Sequence, residues 1–480
     1  MSNILKISND FSFFLSDNLI VKHDLWDRLR FRDKNYFHNR AFKMRKWDGY
    51  IQFFALETGK FLTGLLPEVR AVLRHHNVDY TIDDTRQQSP FKYENINDQF
   101  LNQWLPKTTL NGDPMKPVTL YDYQVELINQ AIKHRRGVIY APTSAGKTLI
   151  MLGILKSLPP NTPTLILQNR VTLAQQNYDE IKNWGFDNVG GLWGGFVKPN
   201  VITVASVQSI DKIEKLLSKF RVLIVDEIHD CMASQSKAIY RRMKGADVRF
   251  AVSATPFKFG GKDNVQKFHV RGFFGPILKI KSTETGILTT GELQGRGILS
   301  SSKCIFYPIR EPQIPHDVYI DAVTRGIAES YHFHKIVTRL AKLQQGRTLI
   351  LVDRIAHGDA LHSLLPDSLW IQGKDNLATR KSVIKQLQKS EHCIAIATQQ
   401  IFNTGINIHC HNLINAAGGQ ADHQIIQRIG RGLRTAEDKD GLNYYDFLFE
   451  INDYLLKHSK KRYEILKKED HEITIKEVDF

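Results

Sequence analysis

Residues 137–148 read GVIYAPTSAGKT, and residues 221–229 read RVLIVDEIH. The first segment starts as a β-branched strand, passes through a loop of small residues and opens a helix at Gly146-Lys147-Thr148. Backbone N–H groups in such a loop, with the helix N-terminus, cradle phosphate oxygens. Ser144, Ala145 and Gly146 would form the cradle, Lys147 would reach the β- and γ-phosphates, and the Thr148 hydroxyl would ligate Mg2+. Ala141 stands where the strict G-x-x-x-x-G-K-[ST] pattern has its first glycine. The second segment ends an apolar strand in Asp226-Glu227-Ile228-His229. An acidic residue at the carboxyl end of a parallel strand sits where ligands bind in open α/β sheets. Asp226 is placed to hold Mg2+, directly or through water, and Glu227 to orient and deprotonate an attacking water. Together these residue types support hydrolysis of ATP.

The elements that must position them follow from the apolar pattern. From about residue 118 to 280, short apolar strands (GVIYA, TLILQ, VITVA, RVLIV, RFAVSA) alternate with amphipathic helices. That alternation predicts a parallel sheet with helices on both faces. A second region of the same kind, about 320 to 445, contains TLILV, CIAIAT and NLINAA. The chain therefore divides into an α+β domain over 1–105, a first α/β lobe over 106–285, a connector over 286–318, a second lobe over 319–445 and a helical tail over 446–480. Alternation in FKMRKWDGYIQFF predicts a hairpin turning near Asp48-Gly49. Helical spacing places Val69, Val72 and Leu73 on one face.

The ordered motifs resemble superfamily 2 helicases. DEIH at 226–229 resembles the acidic box of that family, and Ser253-Ala254-Thr255 its third motif. By resemblance, Ser253 and Thr255, with His229, couple the ATP site to the nucleic-acid site. LYDYQ at 120–124 resembles the adenine-recognition element, which implies that Gln124 reads the base and Tyr121 stacks on it. QRIGRGLR at 427–434 matches the sixth motif, implying arginine fingers at Arg431 and Arg434 and a nucleotide contact at Gln427. Such fingers stabilise charge on the transferring phosphoryl. ATQQIFNTGIN at 397–407 resembles the fifth motif: Thr398 would touch a nucleic-acid phosphate, and Gly405 and Asn407 would face the nucleotide. LILQNRVTLAQQ and SVQS resemble two further elements, assigning Arg170, Ser206 and Gln208 to the nucleic-acid backbone. The resemblance implies an α/β fold of two tandem RecA-like parallel-sheet lobes, with ATP hydrolysed between them and Mg2+ as cofactor.

The stretch YFHNRAFKMRKWDGYIQFF, followed by GKFLTGLLPEVRAVL, narrows the resemblance to UvsW-type phage helicases. Those remodel branched DNA: they migrate junctions, regress forks and unwind duplexes and hybrids. The residues agree. Between 28 and 46 there are eight Lys/Arg against one acid, Asp33, within a chain of net charge +15. Arg40, Lys43, Arg45 and Lys46 are the candidate DNA contacts, whereas most of the interleaved aromatics, Trp47 included, read as core. DNA with single- and double-stranded parts is the expected partner, an RNA–DNA hybrid a further one. Two other readings share these motifs: a double-stranded DNA translocase that separates no strands, and an RNA helicase. A nucleotide-gated binding module is disfavoured, because Lys147, Glu227 and Arg431 are all present.

Cys231, Cys304, Cys393 and Cys410 form no C-x-x-C pair, and His409-Cys410-His411 reads as structural. Scattered thiols, no signal-like N-terminus and no long apolar run lead to an expected cytoplasmic location, that of the host if the chain is phage-encoded.

Overall fold

The computed structural model describes residues 3–110, 112–257, 264–281, 283, 286–315, 318–372, 375, 377–399, 410–419 and 441–479. The chain divides into two units, Met1–Ala141 with Gly146–Ile287, and Pro142–Ala145 with Leu288–Phe480.

The first unit opens with strands β1 (Ile4–Ile7) and β2 (Phe11–Leu15), helix α1 (Leu19–Arg28), strand β3 (Arg30–Arg32), the short helix α2 (Arg40–Lys43) and strands β4 (Tyr50–Gln52) and β5 (Lys60–Leu62). Helix α3 (Leu66–His75) and strand β6 (Thr81–Asp84) follow. Four strands form a sheet in the order β5-β2-β1-β6, and β3 pairs separately with β4. Helix α3 buries Val69, Val72 and Leu73, as its spacing predicts. The predicted hairpin over 42–54 is different. Phe42 and Lys43 end α2, and the strand at Tyr50 finds its partner back at Arg30–Arg32. Aromatic packing explains this. Tyr36 meets Phe42 edge to face at 4.6 Å, and Trp47 donates its indole N–H to the Tyr50 carbonyl at 2.7 Å. Gly49, at φ +84°, approaches so closely that a Cβ there would lie 3.1 Å from the Tyr36 side chain. Residues 33–46 thus close into a compact excursion between β3 and β4 instead of extending as a strand.

The lobe behind this module contains β7 (Arg136–Tyr140), β8 (Thr164–Gln168), β9 (Val189–Trp193), β10 (Phe196–Lys198), β11 (Ile202–Ser206), β12 (Val222–Asp226) and β13 (Val248–Ser253). Their order is β10-β9-β11-β8-β12-β13-β7, parallel except for the edge pair β10–β9. Helices cover the faces: α4 (Asp122–His134), α5 (Lys147–Ser157), α6 (Val171–Asn183), α7 (Ser234–Arg242) and α8 (Asn264–Phe274). Burial on both faces is why these strands read as unbroken apolar runs; every residue of β8, β11 and β13 is buried. Helix α5 lies close against α4 at Gly153, where a Cβ would come within 2.4 Å of Ile128. The N-terminal module is joined firmly to this lobe. One apolar core runs through both, from Leu5 and Phe14 to Val225 and Phe274. Phe31 packs 4.4 Å from Phe268 of α8, and Glu68 of α3 pairs with Arg271 of the same helix.

The second unit carries β14 (Ser301–Ile309), β15 (Arg347–Val352), β16 (Leu369–Ile371), β17 (Cys393–Thr398), β18 (Asn412–Asn415), β19 (Gly441–Phe449) and β20 (Glu472–Ile475). They form a parallel sheet in the order β16-β17-β15-β18-β19-β14-β20. Two expected boundaries move. Strand β14 lies in the stretch expected as a connector, and the expected tail supplies β20 and the helix Asp453–Lys468. That helix is basic, but its Arg462 points inward and pairs with buried Asp446 of β19 at 2.7 Å. Breaking such a pair leaves an uncompensated buried charge, which locks the helix to the sheet. Both seven-stranded units are RecA-like α/β lobes. Among the described residues, no helix is long and apolar enough to cross a membrane.

Candidate active site

Strand order decides which loops meet at the carboxyl edge of the first lobe. β12 sits between β8 and β13, and β7 follows β13. The acidic pair after β12 is therefore flanked on one side by the loop after β8 and on the other by Ser253 and the phosphate-type loop after β7. That loop turns through two left-handed residues, Ser144 at φ +67° and Gly146 at φ +76°. Ala145 is buried, and Thr148 lies in the first turn of α5. A Cβ at Gly146 would fall 2.2 Å from Nε2 of Gln124. Gly146→Ala therefore meets both backbone strain and the Gln124 amide. We expect it to cost about 1–2 kcal/mol from the backbone alone, read as a lowered melting temperature.

Lys147 extends from the first residue of α5 to Oε1 of Glu227 at 2.5 Å. Ser253 donates its hydroxyl to Oε2 of Glu227 at 3.1 Å, and His229 Nδ1 lies 2.9 Å from the same hydroxyl. The Thr255 backbone N–H donates to Ser253 Oγ at 3.0 Å. Asp226 accepts from the Glu227 backbone N–H at 3.0 Å, from Gln168 Nε2 at 3.2 Å and from Asn177 Nδ2 at 3.4 Å. Gln168 and Asn177 were not anticipated. Their signal is a polar residue closing an otherwise apolar strand and a buried asparagine on the covering helix.

These contacts divide the two carboxyls. Burial, reinforced by the negative charge of Glu227, raises Asp226 above the usual carboxylate range, against the pull of Lys147 and the Asn177 hydrogen bond. Burial also pushes Glu227 upward, but Lys147, then His229 and the hydrogen bonds from Lys147 and Ser253, outweigh it and hold Glu227 below that range. Burial lowers His229, against the opposing pull of Glu227 and Asp230.

The remaining predicted residues fall into three groups. Gln124 is inside, 1% exposed, and its Oε1 accepts from the Tyr121 backbone N–H at 2.9 Å, reaching back across the start of α4. Its amide thus braces the helix start beside Gly146. The Tyr121 ring is 46% exposed and stacks on Tyr123 at 5.7 Å. On the expected nucleic-acid side, Gln208 Nε2 donates to the Asn169 carbonyl at 2.9 Å, tying the loops after β11 and β8 together. Arg170, just before α6, lies 3.5 Å from Asp230. Ser206 departs from expectation: it is fully buried and its hydroxyl donates to Ser209, so it supports the loop from inside. Thr398 ends β17, buried, with no hydroxyl partner among the described residues. Gly405, Asn407, Gln427, Arg431 and Arg434 lie outside the described residues.

On the N-terminal module, Arg40, Lys43, Arg45 and Lys46 are all exposed, without an ion-pair partner among the described residues. The nearby Arg28 and Arg30 are instead paired with Asp24 and Asp27 at 2.7 and 2.6 Å.

The family model described as "Type III restriction enzyme, res subunit" matches residues 117–258. The ATP-dependent DNA helicase uvsW of Enterobacteria phage T4 is 22% identical over 452 residues, covering 89% of this chain and 86% of its own. The DNA 3'-5' translocase XPB2 of Sulfurisphaera tokodaii is 24% identical over 405 residues, covering 73% of this chain and 88% of its own. The solved structure of the ATP-dependent Type ISP restriction-modification enzyme LlaBIII bound to DNA shares the fold at a TM-score of 0.56, with 14% identity, covering 86% of this chain and 36% of that one. The chain resembles the superfamily 2 ATP-dependent DNA helicases and translocases, the UvsW-type phage helicases among them.

Proposed function

We propose that this protein uses ATP hydrolysis to remodel branched DNA, migrating junctions, regressing forks and unwinding duplex or hybrid arms. The observation that carries this reading is the cluster of Arg40, Lys43, Arg45 and Lys46, exposed on a module that shares its core with the ATPase lobe. A grip on a duplex arm built there is rigidly joined to the lobe that binds the nucleotide.

The site fits a triphosphate. The loop leaves no room for a Cβ at Gly146, and the Thr143 hydroxyl is buried with no partner among the described residues. Ser144, Ala145, Gly146 and Lys147 hold the phosphates in this reading. Thr148 and Asp226 offer hard oxygen donors for Mg2+, which would supply charge neutralisation at the phosphates. No cluster of three metal-ligating side chains exists among the described residues, which suits an ion that takes further ligands from phosphate and water.

The Lys147–Glu227 pair gives the site a gate. Glu227 Oε1 is held by the lysine at 2.5 Å. A triphosphate that engages Lys147 draws it away and frees Oε1 to accept a proton from water. Hydrolysis is thereby tied to a correctly seated phosphate chain. Arg431 and Arg434 are assigned the charge that develops on the transferring phosphoryl, on sequence grounds. Only a difference in DNA affinity between nucleotide states turns this cycle into movement.

Neutralising Arg40, Lys43, Arg45 and Lys46 to Gln tests the N-terminal grip. Fork affinity at low salt is expected to fall, and the slope of log K against log salt to flatten by up to about 0.9 per lost phosphate contact. Binding measured by fluorescence anisotropy across a salt series reads both. An unchanged affinity and slope would remove the module from DNA binding.

A further inference from the structure

Asp226 commits most of its hydrogen-bonding capacity to its own neighbours. Its Oδ2 accepts from Gln168 Nε2 at 3.2 Å and from Asn177 Nδ2 at 3.4 Å, and its Oδ1 accepts from the Glu227 backbone N–H at 3.0 Å. Each carboxylate oxygen has two lone pairs. Among the described residues, both of those on Oδ2 are engaged, and one of those on Oδ1 is left. We propose that Gln168 and Asn177 are specificity-determining residues for the divalent ion: by holding Oδ2 they confine Asp226 to donation from Oδ1, which suits Mg2+ and disfavours Ca2+. The proposal rests on the reading of Asp226 as a Mg2+ donor and deepens it into a choice between ions.

The two amides come from different elements and converge on one atom. Strand β8 runs parallel to β12 with Leu167 opposite Val225, so the next residue along, Gln168, comes level with Asp226. Asn177 lies on the inner face of α6, in line with buried Ala174 and Ile181. Packing alone asks for an apolar residue at 168. Gln168 is 1% exposed at the end of an otherwise apolar strand, and its Oε1 is buried without a partner among the described residues. A methionine or leucine there would leave no orphaned acceptor. What the amide adds is its donor, and that donor serves Asp226.

The chemistry of the two ions then separates them. Mg2+ demands a near-octahedral set, takes one or two carboxylates and fills its other positions with phosphate oxygens and water. One oxygen from Asp226 and the Thr148 hydroxyl meet that demand. Ca2+ is larger, collects about six to eight oxygens and often takes a carboxylate through both oxygens at once. For Asp226 to offer both, Oδ2 must part from two amides and leave their buried donors unpaired. The carboxylate is also held against rotation, because its donors sit on β8, on α6 and in the turn after β12. The penalty falls on the ion that needs both oxygens and spares the one that needs a single oxygen. Partners bonded to a metal ligand, not to the metal, change affinity by about 10–100-fold when removed.

The test is nucleotide binding by the full chain, read from the fluorescence of an N-methylanthraniloyl-labelled, non-hydrolysable ATP analogue at saturating Mg2+, at saturating Ca2+ and in EDTA. In the parent protein, Kd is expected to be at least about tenfold higher with Ca2+ than with Mg2+. The near-isosteric double variant Gln168→Met/Asn177→Leu removes both amides. It is expected to bring that ratio to within about twofold and to leave Kd in EDTA within about twofold of the parent value. Gln168→Met alone breaks the shorter bond and removes the orphaned carbonyl; it is expected to carry the larger part of the shift, and it decides the matter if the double variant does not fold. A purely structural role would move all three Kd values by one factor and leave the ratio as in the parent, and that result overturns the proposal. So does a parent protein that binds equally well with either ion. If neither ion moves the parent Kd from its EDTA value, the reading of the metal site falls first and this inference with it; a Mg2+ effect with an unchanged ratio in the variants removes only the inference.

Discussion

Lys147→Ala is expected to lower ATP turnover by at least about 10²–10³-fold, the scale set by removing one preorganised charge from a phosphoryl-transfer site. The structure gives this lysine two jobs. It is the cation at the mouth of the phosphate-type loop, and it is the partner that holds Glu227 at 2.5 Å. Alanine removes both. The phosphate chain loses its ammonium, and two adjacent half-buried carboxyls lose the charge that offsets their repulsion. ATP binding should weaken as well, so a loss seen in both KM and kcat is the expected signature. Turnover retained within about tenfold would place the nucleotide elsewhere.

Glu227→Gln is the second large effect, and its pattern differs. Glutamine keeps the length of the side chain and can still accept from Lys147 through its one carbonyl oxygen, while its NH2 faces the Ser253 hydroxyl, which can accept. ATP affinity should stay within a few fold, whereas kcat should fall by about 10²–10⁴, the usual worth of a positioned general base. Fluorescent ATP binding and single-turnover hydrolysis on the same preparation separate the two quantities. A variant that hydrolyses ATP normally would leave Glu227 as only the resting partner of Lys147.

Much of this was legible in the amino-acid order because parallel strands covered on both faces must be apolar throughout. TLILQ and CIAIAT coincide with β8 and β17, residue for residue. GVIYA and RVLIV lie within one residue of β7 and β12. Lys147 and Glu227 each read as lying at a carboxyl edge of the sheet, but their contact at 2.5 Å did not show in the sequence. Relations that depend on strand order were not legible. Gln168 and Asn177 reach Asp226 because β8 lies beside β12, which no local pattern announces. Gln124 was ambiguous for a different reason: one side-chain amide serves a helix start or a base equally well, and its burial beside Gly146 is not a local pattern. The helix of the tail was legible, but not that its Arg462 turns inward into a buried ion pair.

The central claim, an ATP-driven motor on branched DNA, is tested most directly by following product formation on a fork, a four-way junction and an RNA–DNA hybrid side by side, with a third-strand displacement substrate as control. The account predicts that ATP, but not a non-hydrolysable analogue, converts the fork and the junction, and that Lys147→Ala converts neither. Displacement of the third strand with no conversion of any branched substrate would contradict it, and would make the chain a duplex translocase that separates no strands.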